Sequence, residues 1–276
     1  MRAGHVLRCT GGERMRIALG IEYVGTSFQG WQSQRHTAAT VQGCLEGALS
    51  RVAAAPTTVV AAGRTDAGVH AHGQVVHFDT DVLRDDTAWV LGVNRYLPPA
   101  VSVQWARAVS DGFHARFSAQ WRRYCYVIHD ARARSALLAG RVTWHHYPLD
   151  VGLMAQAGQS LIGEHDFSSF RGQQCQAKSP VRVVQSLTVV RRGPLVVLEI
   201  QANAFLHHMV RNIAGVLMSI GKGDRPVPWA GEVLAYRDRR LGGVTAPPDG
   251  LYLVAVGYPA SFGLPDPMPL VNPAHP

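Results

Sequence analysis

Two stretches of this chain run through the same order of hydrophobic patterns, and few folds accommodate that. In the first, Ile17, Leu19, Ile21 and Tyr23 alternate onto one face of a predicted half-buried strand over 16–23. Thr40 stands where it can cap a helix, and Val41, Cys44, Leu45, Ala48, Leu49 and Val52 then recur at helical spacing. Strands are predicted over 57–63 and 74–79. A helix around Trp89, Val90, Val93, Tyr96 and Leu97 runs up to Pro98-Pro99, and a strand covers Val101 to Val109. The second stretch repeats the order. Arg122 to His129 is a predicted strand with Tyr124 and Tyr126 on one face. Asp150 can cap a helix through Leu153, Ala157 and Leu161. Strands over 181–191 and 195–203 flank a Gly193-Pro194 turn. His207 to Ile220 is predicted helical, with Val210, Ile213, Leu217 and Ile220 inward and Gly221 at its end. A short helix near 229–237 and a strand over 251–258 complete it. The expected fold is α+β. Two tandem β-α-β-β-α-β (ferredoxin-like) halves, 15–110 and 111–260, share a central antiparallel sheet with a cleft between them.

The remaining segments are punctuation. Residues 1–14 are expected to be a short basic, mobile arm, since no apolar run follows their arginines as a secretory signal would require. Residues 261–276 carry prolines at 265, 267, 269, 273 and 276 and are expected to form a loose tail. No apolar run is long enough to cross a membrane. Cys9, Cys44, Cys125 and Cys175 are too widely spaced for a CxxC pair or a zinc pattern, which points to free thiols in a reducing cytoplasm.

Charge gives a broad hint about partners. The net charge is +8, and of 27 basic residues only Lys178 and Lys222 are lysines. Arginine donates in pairs to phosphate and stacks on bases, so this balance suits a polyanionic partner. A GC-rich coding sequence would inflate arginine equally well.

The chemistry concentrates in Gly63-Arg64-Thr65-Asp66-Ala67-Gly68-Val69-His70-Ala71, between two apolar runs. Glycines at 63 and 68 permit backbone angles other residues avoid and let another molecule approach closely. Arg64 favours an ionised Asp66. A plain surface turn whose aspartate caps its own backbone would use the same residue types. Further along come Tyr23-Val24-Gly25-Thr26-Ser27-Phe28-Gln29-Gly30-Trp31-Gln32, Phe113 to Ala119, Arg122 to Tyr126, His165 to Phe170, and Asn203 to Asn212. In order and content these blocks resemble the TruA-type tRNA pseudouridine synthases, over roughly residues 16–258. Val24 departs from the pattern, where the family often carries an acidic residue.

The resemblance implies a homodimeric isomerase acting on uridines 38 to 40 of the tRNA anticodon arm, without metal or cofactor. It implies the two-halved fold read above from periodicity. Asp66 matches the catalytic carboxylate, and Tyr124 the tyrosine that packs on the target uracil. The same match pairs Arg211 with Asp66. On residue chemistry a charged side chain beside an inward apolar stripe calls for a partner, which Asp66 would supply; a solvent-facing helix arginine is the alternative. Arg64 could hold displaced RNA or merely brace its loop. Arg116 and Arg123 lie in a run that interleaves basic and aromatic residues, Phe113 to Tyr126, and are expected phosphate contacts. Phe117 and Tyr126 in that run are expected in the core. Asp66 could attack C1′ of the ribose, attack C6 of the base, or remove a proton from C2′.

Two other readings compete. A metal-dependent hydrolase could use Asp66, His70 and His72, since His70 and His72 share a strand face. A non-catalytic RNA-binding module could use tandem β-α-β-β-α-β units, but it gives no reason for the GRTD turn.

Overall fold

A computed structural model describes residues 7–8, 14–34 and 39–267. The chain divides into two compact units. One comprises residues 1–120 and 255–270, the other 121–254 and 271–276. Relative to the expected halves, the first unit also takes 111–120 and the segment after residue 254.

The first unit contains β1 (Leu7–Arg8), β2 (Met15–Tyr23), α1 (Val41–Ala53), β3 (Val60–Ala61), β4 (His70–Thr80), β5 (Val82–Leu83), α2 (Asp86–Asn94) and β6 (Val101–Val109). Its strands run β6-β2-β4, all antiparallel, with β3 beside β4. This is the expected β-α-β-β-α-β order. Most of the residues predicted as a mobile arm lie outside the described residues, but β1 pairs antiparallel with β5.

Three local departures have physical reasons. Strand β2 is not half-buried: Ile17 to Ile21 are buried without alternation, because β2 is flanked by strands on both edges and covered on both faces. Its Gly20 leaves the space that the ring of its cross-strand partner Trp105 occupies. The predicted strand over 57–63 shrinks to two residues. The Thr57 N–H donates to Ser50 Oγ at 3.0 Å and the Val59 N–H to Glu46 Oε1 at 3.0 Å, so side chains of α1 take the donors a ladder would need. Helix α2 ends at Asn94, short of the prolines, where the Asn94 amide exchanges hydrogen bonds with the backbone of Val103 (2.8 and 2.7 Å).

The second unit contains β7 (Trp121–Asp130), β8 (Thr143–His145), α3 (Val151–Gly158), β9 (Gly163–Asp166), β10 (Val181–Arg192), β11 (Leu195–Ala202), α4 (Met209–Gly221) and α5 (Trp229–Tyr236). Strand β12 (Leu251–Gly257) starts in this unit and ends in the first. The antiparallel order is β7-β11-β10-β9, with β8 parallel to β7. Strands β8 and β9 are additions that periodicity did not reveal, being three and four residues long. The caps are as expected. Thr40 Oγ1 accepts from the Gly43 N–H and Asp150 Oδ1 from the Leu153 N–H. Helix α4 buries Val210, Ile213, Leu217 and Ile220 as its spacing predicts.

The tail predicted to be loose is described as far as residue 267, and that part packs. Ala260–Phe262 forms a 3-10 turn, and the Phe262 ring lies 5.1 Å from that of Phe113. No described helix is long and apolar enough to cross a membrane.

Candidate active site

Asp66 stands half-buried on the turn that enters β4. Gly68 takes φ +81° there, which a side chain would resist. The turn is fastened along its length. The Gly63 carbonyl accepts from Gln74 Nε2 at 2.7 Å. The Thr65 hydroxyl bonds Tyr23 Oη at 2.7 Å, and the Thr65 carbonyl accepts from the Trp31 N–H at 3.0 Å. The Gly68 N–H donates to the Phe28 carbonyl at 3.4 Å, and the Val69 N–H to that of Asp66 at 3.2 Å.

Most of the fastening comes from one place, the glycine- and aromatic-rich block 23–32. Its composition follows from that contact. A Cβ on Gly25 would run into the Val69 carbonyl. Gly30, at φ +90°, passes so close to the turn that a Cβ would lie 2.9 Å from the Thr65 carbonyl oxygen. Trp31 is buried, its ring 5.9 Å from that of Tyr23. The two sequence blocks are one structural device, and Thr65 is a positioning residue the motif alone did not reveal.

The histidines of β4 serve the same framework. His70 is buried and its Nδ1 accepts from the Gly25 N–H at 3.0 Å. His72 Nδ1 lies 2.8 Å from Glu22 Oε2. Among the described residues neither belongs to a cluster of three metal-ligating groups. The hydrolase reading's set of Asp66, His70 and His72 is therefore not gathered as a metal site.

The other expected site residues lie as follows. Arg64 and Arg116 are exposed, in the first unit. Tyr124, Arg123 and Arg211 are in the second. Tyr124 is half-buried on β7, its ring 5.0 Å from Phe205 and nearly perpendicular to it. Arg123 Nε and Nη2 donate to Gln201 Oε1 at 3.0 and 2.8 Å, and its guanidinium lies 5.3 Å from the Trp121 ring centre. Arg211 Nε donates to the Ala246 carbonyl at 2.8 Å from the first turn of α4. Tyr126 is buried as expected, and its hydroxyl bonds Thr143 Oγ1 and the Pro247 carbonyl. Burial holds that phenol well above its ordinary range. Cys125 beside it is pushed up to about 12 by burial, so this thiol stays protonated and inert. Phe117 overturns its expectation. It is 76% exposed rather than in the core.

Sequence reasoning missed one hub within the Asn203–Asn212 block. Buried Asn212 donates to the Phe170 carbonyl at 2.7 Å and accepts from Arg239 at 3.0 Å and Thr245 at 2.6 Å. An asparagine inside an otherwise apolar helix face was the available signal.

The chain matches the family model described as tRNA pseudouridine synthase over residues 20–118 and 157–259. It belongs to the tRNA pseudouridine synthase family. Pseudouridine synthases named tRNA pseudouridine synthase A are similar over nearly its whole length. That of Pseudomonas aeruginosa is 60% identical over 91% of this chain and 88% of its own. That of Nitrosococcus oceani is 61% identical over 91% and 96%. That of Alcanivorax borkumensis is 58% identical over 91% and 94%. The protein is thus a pseudouridine synthase by family, and the Asp66 turn falls inside the first matched segment.

Proposed function

We propose that the protein isomerises uridine to pseudouridine at positions 38 to 40 of the tRNA anticodon arm, with Asp66 as the catalytic carboxylate. The observation that carries this reading is the clamped turn. A carboxylate fixed at the entry to β4 by Tyr23, Phe28, Trp31 and Gln74 is preorganised for one task. Isomerisation breaks the N1–C1′ bond, turns the base and joins C5 to C1′. It exchanges no electrons with a donor, so one carboxylate suffices. Asp66 forms a bond to C1′ or C6, or takes the C2′ proton, and each route leaves the base free to rotate.

The target base must leave its stack, at a cost of a few kcal/mol. Tyr124 packs on the extruded uracil. Arg64, Arg116 and Arg123 hold phosphates or the vacated stack. Arg211 supplies a counter-charge to Asp66. A cytoplasmic homodimer in which one tRNA contacts both subunits completes the reading. The sequence match to the family motifs supports these assignments residue by residue.

The test is tritium release from tRNA labelled at uridine C5. Asp66→Asn keeps the side chain's shape and removes its charge. The expected result is no detectable release with tRNA binding largely kept, and turnover within a few-fold of the parent defeats the assignment. Run with pre-folded tRNA in EDTA, the parent is expected to keep its activity. Loss there, restored by stoichiometric zinc, would favour a metal-dependent reaction.

A further inference from the structure

Phe117 is an exposed aromatic at the tip of a turn held by more bonds than a surface loop needs. At the turn's base, Phe113 is fully buried against the rings of Tyr258 and Phe262. The Phe113 carbonyl accepts from Arg16 Nη1 at 2.8 Å. The Ala115 N–H donates to Nδ1 of buried His77 at 3.1 Å, and the Ala115 carbonyl accepts from Tyr258 Oη at 2.6 Å. Across the tip, the Ser118 N–H donates to the His114 carbonyl, and the His114 N–H to Ser118 Oγ, both at 2.9 Å. His114 Nδ1 accepts from the N–H groups of both Arg116 (3.2 Å) and Phe117 (3.1 Å). That atom carries no proton, so the ring is neutral. Burial and nearby Arg16 favour this form.

Everything in this turn is fixed, and the group it presents is an aromatic ring. The imidazole of His114 stacks on Phe117, with centroids 4.3 Å apart and planes 27° from parallel. The Arg116 guanidinium lies 5.5 Å from the Phe117 ring centre. An exposed phenylalanine is ordinarily a loss, since its burial would contribute favourably. Here the side-chain entropy is already restricted by the stacked histidine, and a cation stands beside the ring.

We propose that Phe117, backed by His114 and flanked by Arg116, is a stacking platform for an unpaired base of the RNA substrate. The inference rests on the tRNA-modifying function proposed above and adds a substrate-binding residue to it. Nucleic-acid sites of this kind combine an aromatic face with a cation for the neighbouring phosphate. A second copy of the chain would want a different surface. The residues on either side of Phe117 in the chain, Arg116 and Ser118, are polar, whereas the core of a protein interface is depleted of charge.

The test compares the full-length parent with Phe117→Ala, Phe117→Trp and Phe117→Leu, for tRNA affinity, tritium release and molecular mass by light scattering. Base stacking on one aromatic is worth about 1–3 kcal/mol, so Phe117→Ala is expected to weaken binding roughly 5- to 150-fold. Its salt dependence should match the parent's, because stacking releases no counterions. Trp should bind at least as well as the parent, and Leu nearly as poorly as Ala. Thermal stability should be unchanged, since so exposed a ring contributes little to the core. Parental affinity in Phe117→Ala overturns the platform, and so does full rescue by Leu, which would mark plain apolar contact. A change in molecular mass with Phe117→Ala overturns it in favour of a contact between copies. If the parent itself neither binds nor modifies tRNA, the proposed function fails, whatever the variants do.

Discussion

A carboxylate on a turn ordinarily swings with its loop, but Asp66 sits on one fixed on both sides. Thr65 immediately before it is bonded through side chain and carbonyl, and Gly68 two residues after it through its N–H. What remains adjustable is the charge around the carboxylate, and the proposed partner is Arg211. A lysine offers the same charge without the planar fork. Arg211→Met is therefore expected to lower kcat by at least tenfold, and Arg211→Lys to recover part of the loss. Both should fold, because a helix accepts either residue. Stopped tritium-release assays with circular dichroism check this, and parental kcat in Arg211→Met removes the arginine from the mechanism. A structural cost is also expected, since Arg211 Nε bonds the Ala246 carbonyl. A drop in melting temperature shared by both variants would report that bond alone.

At the scale of elements, the turn before β4 and the segment after β2 depend on each other. Gly25 is the tightest joint between them. Its N–H donates to His70 Nδ1, and a Cβ there would strike the Val69 carbonyl, which is backbone and has little room to move. Gly25→Ala is expected to displace the Asp66 turn and cost at least tenfold in kcat, with a smaller effect on tRNA affinity. Equal kcat in Gly25→Ala would show that the turn tolerates the shift.

A second elemental coupling runs through His77 on β4, which accepts from the Ala115 N–H. Burial lowers its pKa from 6.5 to about 4. Below pH 6.5 the unfolded chain takes up a proton that the folded one refuses until about pH 4. His77 therefore contributes stability that is fully present above pH 6.5 and lost as pH falls from 6.5 to about 4. The loss is about 2.5 kcal/mol by pH 4.5. Asp79, held low by its bonds from Arg16, adds acid sensitivity of the same sign at still lower pH. Urea midpoints at pH 7 and pH 4.5 measure the first effect. His77→Gln, which keeps an acceptor for Ala115, should flatten the profile between those values, and an unflattened profile refutes the assignment.

For the whole molecule the deciding quantity is charge. A net +8 carried almost entirely by arginine favours phosphate as a partner. Some arginines are committed internally. Arg16 pairs with Asp79, Arg191 with Asp130 and Arg240 with Asp238. Arg64 and Arg116 are exposed, and they are the RNA contacts proposed here. With about four phosphate contacts, doubling the salt concentration should weaken tRNA binding roughly tenfold. Affinity measured from low to moderate salt with a fixed magnesium level checks this, and a flat response excludes a broad RNA footprint.

The sequence by itself determined the order of the longer elements, the caps at Thr40 and Asp150, the inward stripe of α4 and the family to which Asp66 and its turn belong. These are local or linear properties: spacing sets which face is apolar, and a motif is a string. Only the tertiary structure decided how those pieces are used. It took the donors of 57–59 for the side chains of α1 and so dissolved most of a predicted strand. It buried both faces of β2, and it joined the block 23–32 to the Asp66 turn through contacts between residues some forty positions apart. It turned Phe117 outward, because Phe113 already fills the core beneath that turn and a hydrogen-bonded tip leaves no path inward. Each of these depends on which distant groups compete for one donor or one cavity, and hydrophobic periodicity carries no information about that competition.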